Sequence, residues 1–208
     1  MEKQDYRKIE FIEEEIFVFK DKEIMTHKLN GYANVYLSNN CHIKPKGLHI
    51  MLKNVNSAIK DFEIDDTTYK IIFLSYKDGI NIFGAYRAIY NEIYLNEVIC
   101  DTDVLMLEKL DIGHVERHEI WHFKQAINYK KIHGKITKDN YENYKTTIRA
   151  KAKKYLDSLG VNEDNVGVIS DYASYMFAYG DYDEVEAEIK AKKGAICTVQ
   201  NFQKKSKN

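Results

Sequence analysis

The run Val115-Glu116-Arg117-His118-Glu119-Ile120-Trp121-His122-Phe123-Lys124-Gln125 contains the pattern HExxH. On a helix, residues four apart are neighbours with Cβ atoms about 5–6 Å apart, so His118 and His122 share one face. Imidazole nitrogens so placed each reach a Zn²⁺ at about 2.0–2.1 Å. Glu119 lies about 100° round the same helix, where its carboxylate faces a metal-activated water without being a ligand. The chemistry this permits is hydrolysis of a peptide bond. Metal polarises the scissile carbonyl and acidifies the water, while Glu119 takes the water's proton and passes it to the leaving amine. The plain alternative is a helix with two surface histidines and an exposed glutamate.

A catalytic zinc site takes three protein ligands and keeps one position open. The spacing HExxHxxGxxH is absent, because Lys124, Gln125, Tyr129 and Lys130 occupy that region and His133 comes 11 residues after His122. A carboxylate further along the chain is the remaining solution, and Asp181-Tyr182-Asp183-Glu184-Val185-Glu186-Ala187-Glu188 offers several. The tetrahedral oxyanion also needs a donor beside the metal, commonly a Tyr or His.

Taken together, His118-Glu119-Ile120-Trp121-His122, Ser170-Asp171-Tyr172-Ala173 and Glu184-Val185-Glu186-Ala187-Glu188 resemble the zincin metallopeptidases related to anthrax lethal factor. They also resemble the zincin-like domains found with phage head-morphogenesis proteins. Those families pair HExxH with a later S-x-Y-[AG] and E-x-x-A-E. The resemblance implies one Zn²⁺ per chain held by His118, His122 and Glu184, with Glu119 as general base and Glu188 one turn beyond the ligand. It implies an oxyanion donor at Tyr172, with Tyr179-Gly180 as the rival position, since the stretch from Tyr172 to Glu184 is longer than in the family. It further implies that a peptide or protein substrate pairs along an edge strand at Gly84–Ile89 or Ile93–Leu95. Three residues depart from the family's pattern around the motif: Glu116, Trp121 and Lys124. The resemblance spans about residues 69–190, and residues 1–60 carry none of it.

The elements that must position these groups are legible from periodicity. Residues 1–25 fit an amphipathic helix running into a short strand, and their periodicity does not settle it. Tyr32–Leu37 and Tyr69–Tyr76 are β-branched and aromatic, hence strands, the second a central one. Gly47–Phe62 spaces apolar residues by threes and fours, hence a helix. Phe83–Tyr90 and Ile93–Asn96 flank Asn91-Glu92 as a hairpin. Asp101–Leu110 reads as helical, and the HExxH helix runs from about His114 to about Lys131, with Ile120, Phe123 and Ile127 as its buried stripe. Helices follow at Tyr141–Leu159 and Asp183–Lys193, with a mixed aromatic and small segment between them at Val168–Tyr179. Asp181 and Glu184 also have the spacing of a capping box.

Composition bounds the rest. With 208 residues, 44% hydrophobic and 30% charged, the chain has the make-up of a globular domain. Its net charge of −1 and scattered lysines exclude a nucleic-acid face. No apolar run approaches the roughly 20 residues of a membrane span, and no signal-peptide pattern opens the chain. Three distant cysteines, Cys41, Cys100 and Cys197, read as reduced, buried thiols. The expectation is an α+β zincin-like fold: a mixed sheet with an edge strand over the HExxH helix, and a helical C-terminal half. Residues 1–60 pack on the catalytic core of residues 61–194, and 195–208 form a flexible tail. The expected function is a zinc-dependent endopeptidase, cytoplasmic or phage-associated, with no nucleic-acid or membrane partner. The alternative is a non-catalytic metal-binding structural or interaction domain of a phage-derived protein, in which Glu119 has no use.

Overall fold

The computed structural model describes residues 6–9, 11–12, 15–20, 23–28, 33–38, 40–64, 68–78, 82–192 and 194–205. The chain is α+β and divides into two compact units, residues 1–124 and 125–208. The division falls inside a helix rather than in a linker.

In the first unit, strands β1 (Tyr6–Ile9), β2 (Phe11–Ile12), β3 (Glu15–Lys20) and β4 (Glu23–Lys28) cover the segment read as an amphipathic helix running into a short strand, so the strand part extends further than expected. The hairpin of β3 and β4, with β2 alongside, makes a small antiparallel sheet. The main sheet is mixed. Strand β5 (Ala33–Ser38) leads through helix α1 (Pro45–Asp61) to the parallel strand β6 (Tyr69–Leu74). The hairpin of β7 (Gly84–Arg87) and β8 (Glu92–Asn96) then adds β8 parallel to β6, giving the order β1-β5-β6-β8-β7. Strand β6 is central and β7 lies at the edge. The hairpin turns at Asn91, whose positive φ of 58° is one that asparagine tolerates.

Helix α1 begins with Pro45, whose fixed φ suits a first turn. It buries Leu48, Met51, Leu52, Val55, Ala58 and Ile59, the face its spacing announced. Each of the larger side chains among these, all but Ala58, contributes about 1.5–3 kcal/mol on removal from water. Strand β6 buries Ile71, Ile72, Phe73 and Leu74 in succession, as a strand covered on both faces must. Asn96 and Asp101 then cap a short turn and helix α2 (Thr102–Leu107) through their side-chain oxygens.

Helix α3 (His114–His133) carries HExxH, and Ile120 and Phe123 are fully buried on it. Phe123 packs against Tyr69 and Tyr86, at ring-centroid distances of 5.0 and 5.8 Å, which ties the helix to β6 and β7.

The second unit is helical. After the end of α3 come α4 (Tyr141–Ser158), α5 (Asp171–Tyr179), α6 (Tyr182–Ala191) and α7 (Ala195–Lys205). Their core contains Leu156, Val161, Val166, Ile169, Ala173, Phe177, Val185, Ile189, Ala195 and Val199. Helix α7 replaces the flexible tail expected at 195–208, of which 206–208 lie outside the described residues. Ala195 and Val199 are buried in that core, and the Gln203 amide donates to the Gly160 carbonyl at 2.6 Å. Among the described residues, no helix is long and apolar enough to cross a membrane.

Candidate metal centre

Helix α3 starts at a left-handed residue, Gly113, with φ +82°. A Cβ there would meet the Asn54 side chain at 3.1 Å, so both backbone and space favour glycine. One turn on, Glu116 is buried, and its carboxylate accepts a hydrogen bond from Asn54 Nδ2 at 2.9 Å. Burial raises its pKa above the ordinary carboxylate value, and the Asn54 hydrogen bond, its own backbone and the nearby His114 work against that rise.

The three departures from the family's pattern all point at α1. Trp121 stacks edge-on against Phe62, with ring centroids 5.0 Å apart. The Lys124 ammonium donates to the Glu63 carbonyl at 2.7 Å. Arg117 joins them, paired with Asp61 at 2.6 Å and lying over the Phe62 ring. Glu63 sits at φ +50°, unusual for a non-glycine residue, and its carbonyl is held by that lysine. Glu116, Trp121 and Lys124 thus fasten the HExxH helix to the middle and the end of α1. They belong to the mounting of the motif, not to its reactive face.

That reactive face is buried. His118 and His122 are each 8% exposed and Glu119 is 7% exposed. The bland alternative of surface histidines and an exposed glutamate is therefore ruled out. The two Nε2 atoms stand 3.1 Å apart, with the rings nearly edge to face. Around a tetrahedral zinc at 2.0–2.1 Å, two nitrogen ligands are about 3.3 Å apart. The observed separation fits a shared cation, and the donor set of two imidazoles is one that zinc favours. The Glu119 carboxylate lies against the edge strand β7, where a Cβ at Gly84 would come within 2.9 Å of its Oε1.

In the second unit, the Ser170 hydroxyl caps α5 by accepting from the Ala173 N–H at 3.0 Å, and Gly180 at φ +76° ends it. This stop and restart sets α5 beside α6. The Tyr172 hydroxyl then donates to Glu184 Oε2 at 2.9 Å. The structure therefore joins Tyr172 and Glu184, two residues named by the motif resemblance. Tyr179 instead lies against Tyr175, with ring centroids 4.7 Å apart and the planes tilted by 46°, and is 69% exposed.

The capping-box spacing of Asp181 and Glu184 is not used as such. Asp181 makes no side-chain cap and pairs with Arg149, as does the buried Asp183 at 3.4 Å. Gln125 donates to Glu186 at 2.8 Å and to the Asp183 carbonyl at 3.4 Å. Negative charge collects here. The buried Tyr144 phenol has its pKa pushed up by burial first, then by the charges of Tyr141, Asp183 and Glu184. Glu188 is buried and Asp171 exposed.

Compared with family models, curated proteins and solved structures, the chain matches none. The motif residues and their geometry therefore carry the functional reading by themselves.

The residues that sequence reasoning missed are Asn54, which anchors Glu116, and Gly84, which receives Glu119. A glycine inside a β-rich run was the available signal for the second, since such glycines mark a close approach of the backbone. Nothing in the sequence singled out Asn54. Of the cysteines, Cys41 is buried and Cys100 partly so, whereas Cys197 is exposed, contrary to expectation.

Proposed function

We propose that this chain is a zinc-dependent endopeptidase of zincin-like fold, with His118, His122 and Glu184 as the ligands of one Zn²⁺. The observation that carries the reading is the buried pair of imidazole Nε2 atoms 3.1 Å apart, with the Glu119 carboxylate buried on the next residue. Drawing the third ligand from α6 rests on the E-x-x-A-E spacing that begins at Glu184 and on the Tyr172 hydroxyl that holds its carboxylate. The finer fold assignment rests on the edge strand β7 lying against the HExxH helix at Glu119.

When bound, the metal supplies a Lewis acid that polarises the scissile carbonyl and makes water more acidic. The chain's own groups do the rest. Among the described residues, strand β7 is an edge of the main sheet, on which an extended peptide would add as a further antiparallel strand. Glu119 takes a proton from the attacking water at its carboxylate and delivers it to the leaving amine nitrogen. Its burial excludes bulk water, so the proton stays with the reacting groups. Tyr172 is preferred over Tyr179 as donor to the oxyanion, because its hydroxyl stands beside the ligand carboxylate; its one O–H, given to Glu184 in the resting chain, would turn to the oxyanion during the reaction.

The test is metal content and cleavage together. Purified chain should hold about one zinc, and a peptide library should yield defined cuts. Glu119→Gln should keep the zinc and abolish the cuts. Protein without stoichiometric zinc refutes the site, and undiminished turnover in Glu119→Gln refutes the base.

A further inference from the structure

Gly84 opens strand β7, and the place where its Cβ would stand is already taken. That atom would lie 2.7 Å from Val115 Cγ1, 2.8 Å from Glu119 Cγ and 2.9 Å from Glu119 Oε1. Carbon atoms in contact settle at about 3.5–4.0 Å, so all three approaches are too close. The backbone of Gly84 is not left-handed, which distinguishes it from Gly113, Gly134, Gly160, Gly180 and Gly194. Its value is therefore space, not conformation.

We propose that Gly84 is a positioning residue for Glu119, its bare Cα forming the surface that receives the carboxylate stem. The proposal rests on the reading of Glu119 as general base. A methyl group at position 84 has to be accommodated by one of two neighbours. Val115 is buried and β-branched, with essentially one rotamer open to it on a helix. Glu119 has two further torsions beyond χ1 and yields first. The displaced group is thus the one whose placement matters to the water's proton. A misplacement of about 1 Å at such a group lowers turnover on the order of 10²-fold.

The experiment uses the full chain as wild type, Gly84→Ala and the double variant Gly84→Ala/Val115→Ala. Crystal structures read the Glu119 carboxylate, elemental analysis reads zinc, and steady-state kinetics separate kcat from KM. In Gly84→Ala the carboxylate is expected to move by about 1 Å while the His118 and His122 rings stay in place. Zinc content should be retained, and kcat should fall on the order of 10²-fold with KM within about twofold.

Removing Val115 Cγ1 relieves the 2.7 Å contact but leaves both contacts to Glu119. The double variant should therefore regain thermal stability and keep the low kcat, and it serves alone if Gly84→Ala does not fold. Recovery of kcat in the double variant would overturn the proposal in favour of plain packing against Val115. So would an unmoved Glu119 carboxylate in either variant. A wild-type chain that holds zinc but cuts no peptide would overturn the peptidase reading instead, and the crystal structures would still decide the role of Gly84.

Discussion

Removing the Asn54 side chain tests how the HExxH helix is mounted. Glu116 is 3% exposed and lies two residues before His118, the first histidine of HExxH. Asn54 Nδ2, at 2.9 Å from Oε1, is its side-chain hydrogen-bond donor from α1. A buried acceptor stripped of its donor pays its desolvation, about 1–3 kcal/mol, as well as losing the bond's own net contribution of about 0.5–1.5 kcal/mol. Asn54→Ala should therefore lower unfolding stability at neutral pH by about 2–3 kcal/mol, read from urea midpoints at constant slope.

The companion variant Glu116→Leu removes the buried carboxylate and its need for a donor, so Asn54→Ala should cost far less in that background. A coupling of about 1–2 kcal/mol in the double-mutant cycle is expected for two residues in direct contact. Costs that simply add would refute the reasoning. An Asn54→Ala variant within about 0.5 kcal/mol of wild type would do the same, since that is the range of an ordinary surface change.

Two further predictions concern the site and the thiols. Glu184→Ala should sharply weaken zinc retention against a chelator, whereas Tyr179→Phe should leave it unchanged; equal retention in both would move the third ligand to Asp181, Asp183 or Glu188. The Cys100 thiol is pushed up to about 12, by burial first and then by the charges of Glu116, Cys41 and Glu97. Unfolded cysteine titrates near 8.5, so the folded state keeps a proton that the unfolded state loses. The associated stability is present below about 8.5 and is lost as pH rises toward 12. Wild type should lose stability across that window faster than Cys100→Ala, and at pH 8 iodoacetamide should label the exposed Cys197 well before Cys100. Parallel pH profiles, or equal labelling, would contradict this.

What was legible in the sequence was what repeats or what spaces chemistry. Helix α1 and strand β6 announced themselves because one period, 3.6 or a continuous apolar run, coincided with the burial they acquire. That His118 and His122 share a face was legible because residues four apart on a helix are neighbours. Residues 1–25 are not settled by periodicity because acids and lysines between apolar residues satisfy helical and strand periods equally; their described residues pair as strands. Helix α7 was hidden by the lysines at its end, which outweighed the short stripe of Ala195 and Val199 that its core requires. Glu116, Trp121 and Lys124 looked like departures from a catalytic pattern because their partners, Asn54, Phe62 and Glu63, lie about 60 residues away. Tertiary context of that kind has no local signature, and the same holds for the collision that makes Gly84 necessary.

The measurement that bears most directly on the central claim is a crystal structure of the zinc-loaded Glu119→Gln chain, in which the ligands remain and turnover is stopped. The account predicts one zinc bound by the Nε2 atoms of His118 and His122 at about 2.0–2.1 Å and by a Glu184 carboxylate oxygen at about 2.0–2.2 Å, with a fourth position open. A metal closed in by four protein ligands, or one completed by a carboxylate other than Glu184, would contradict it.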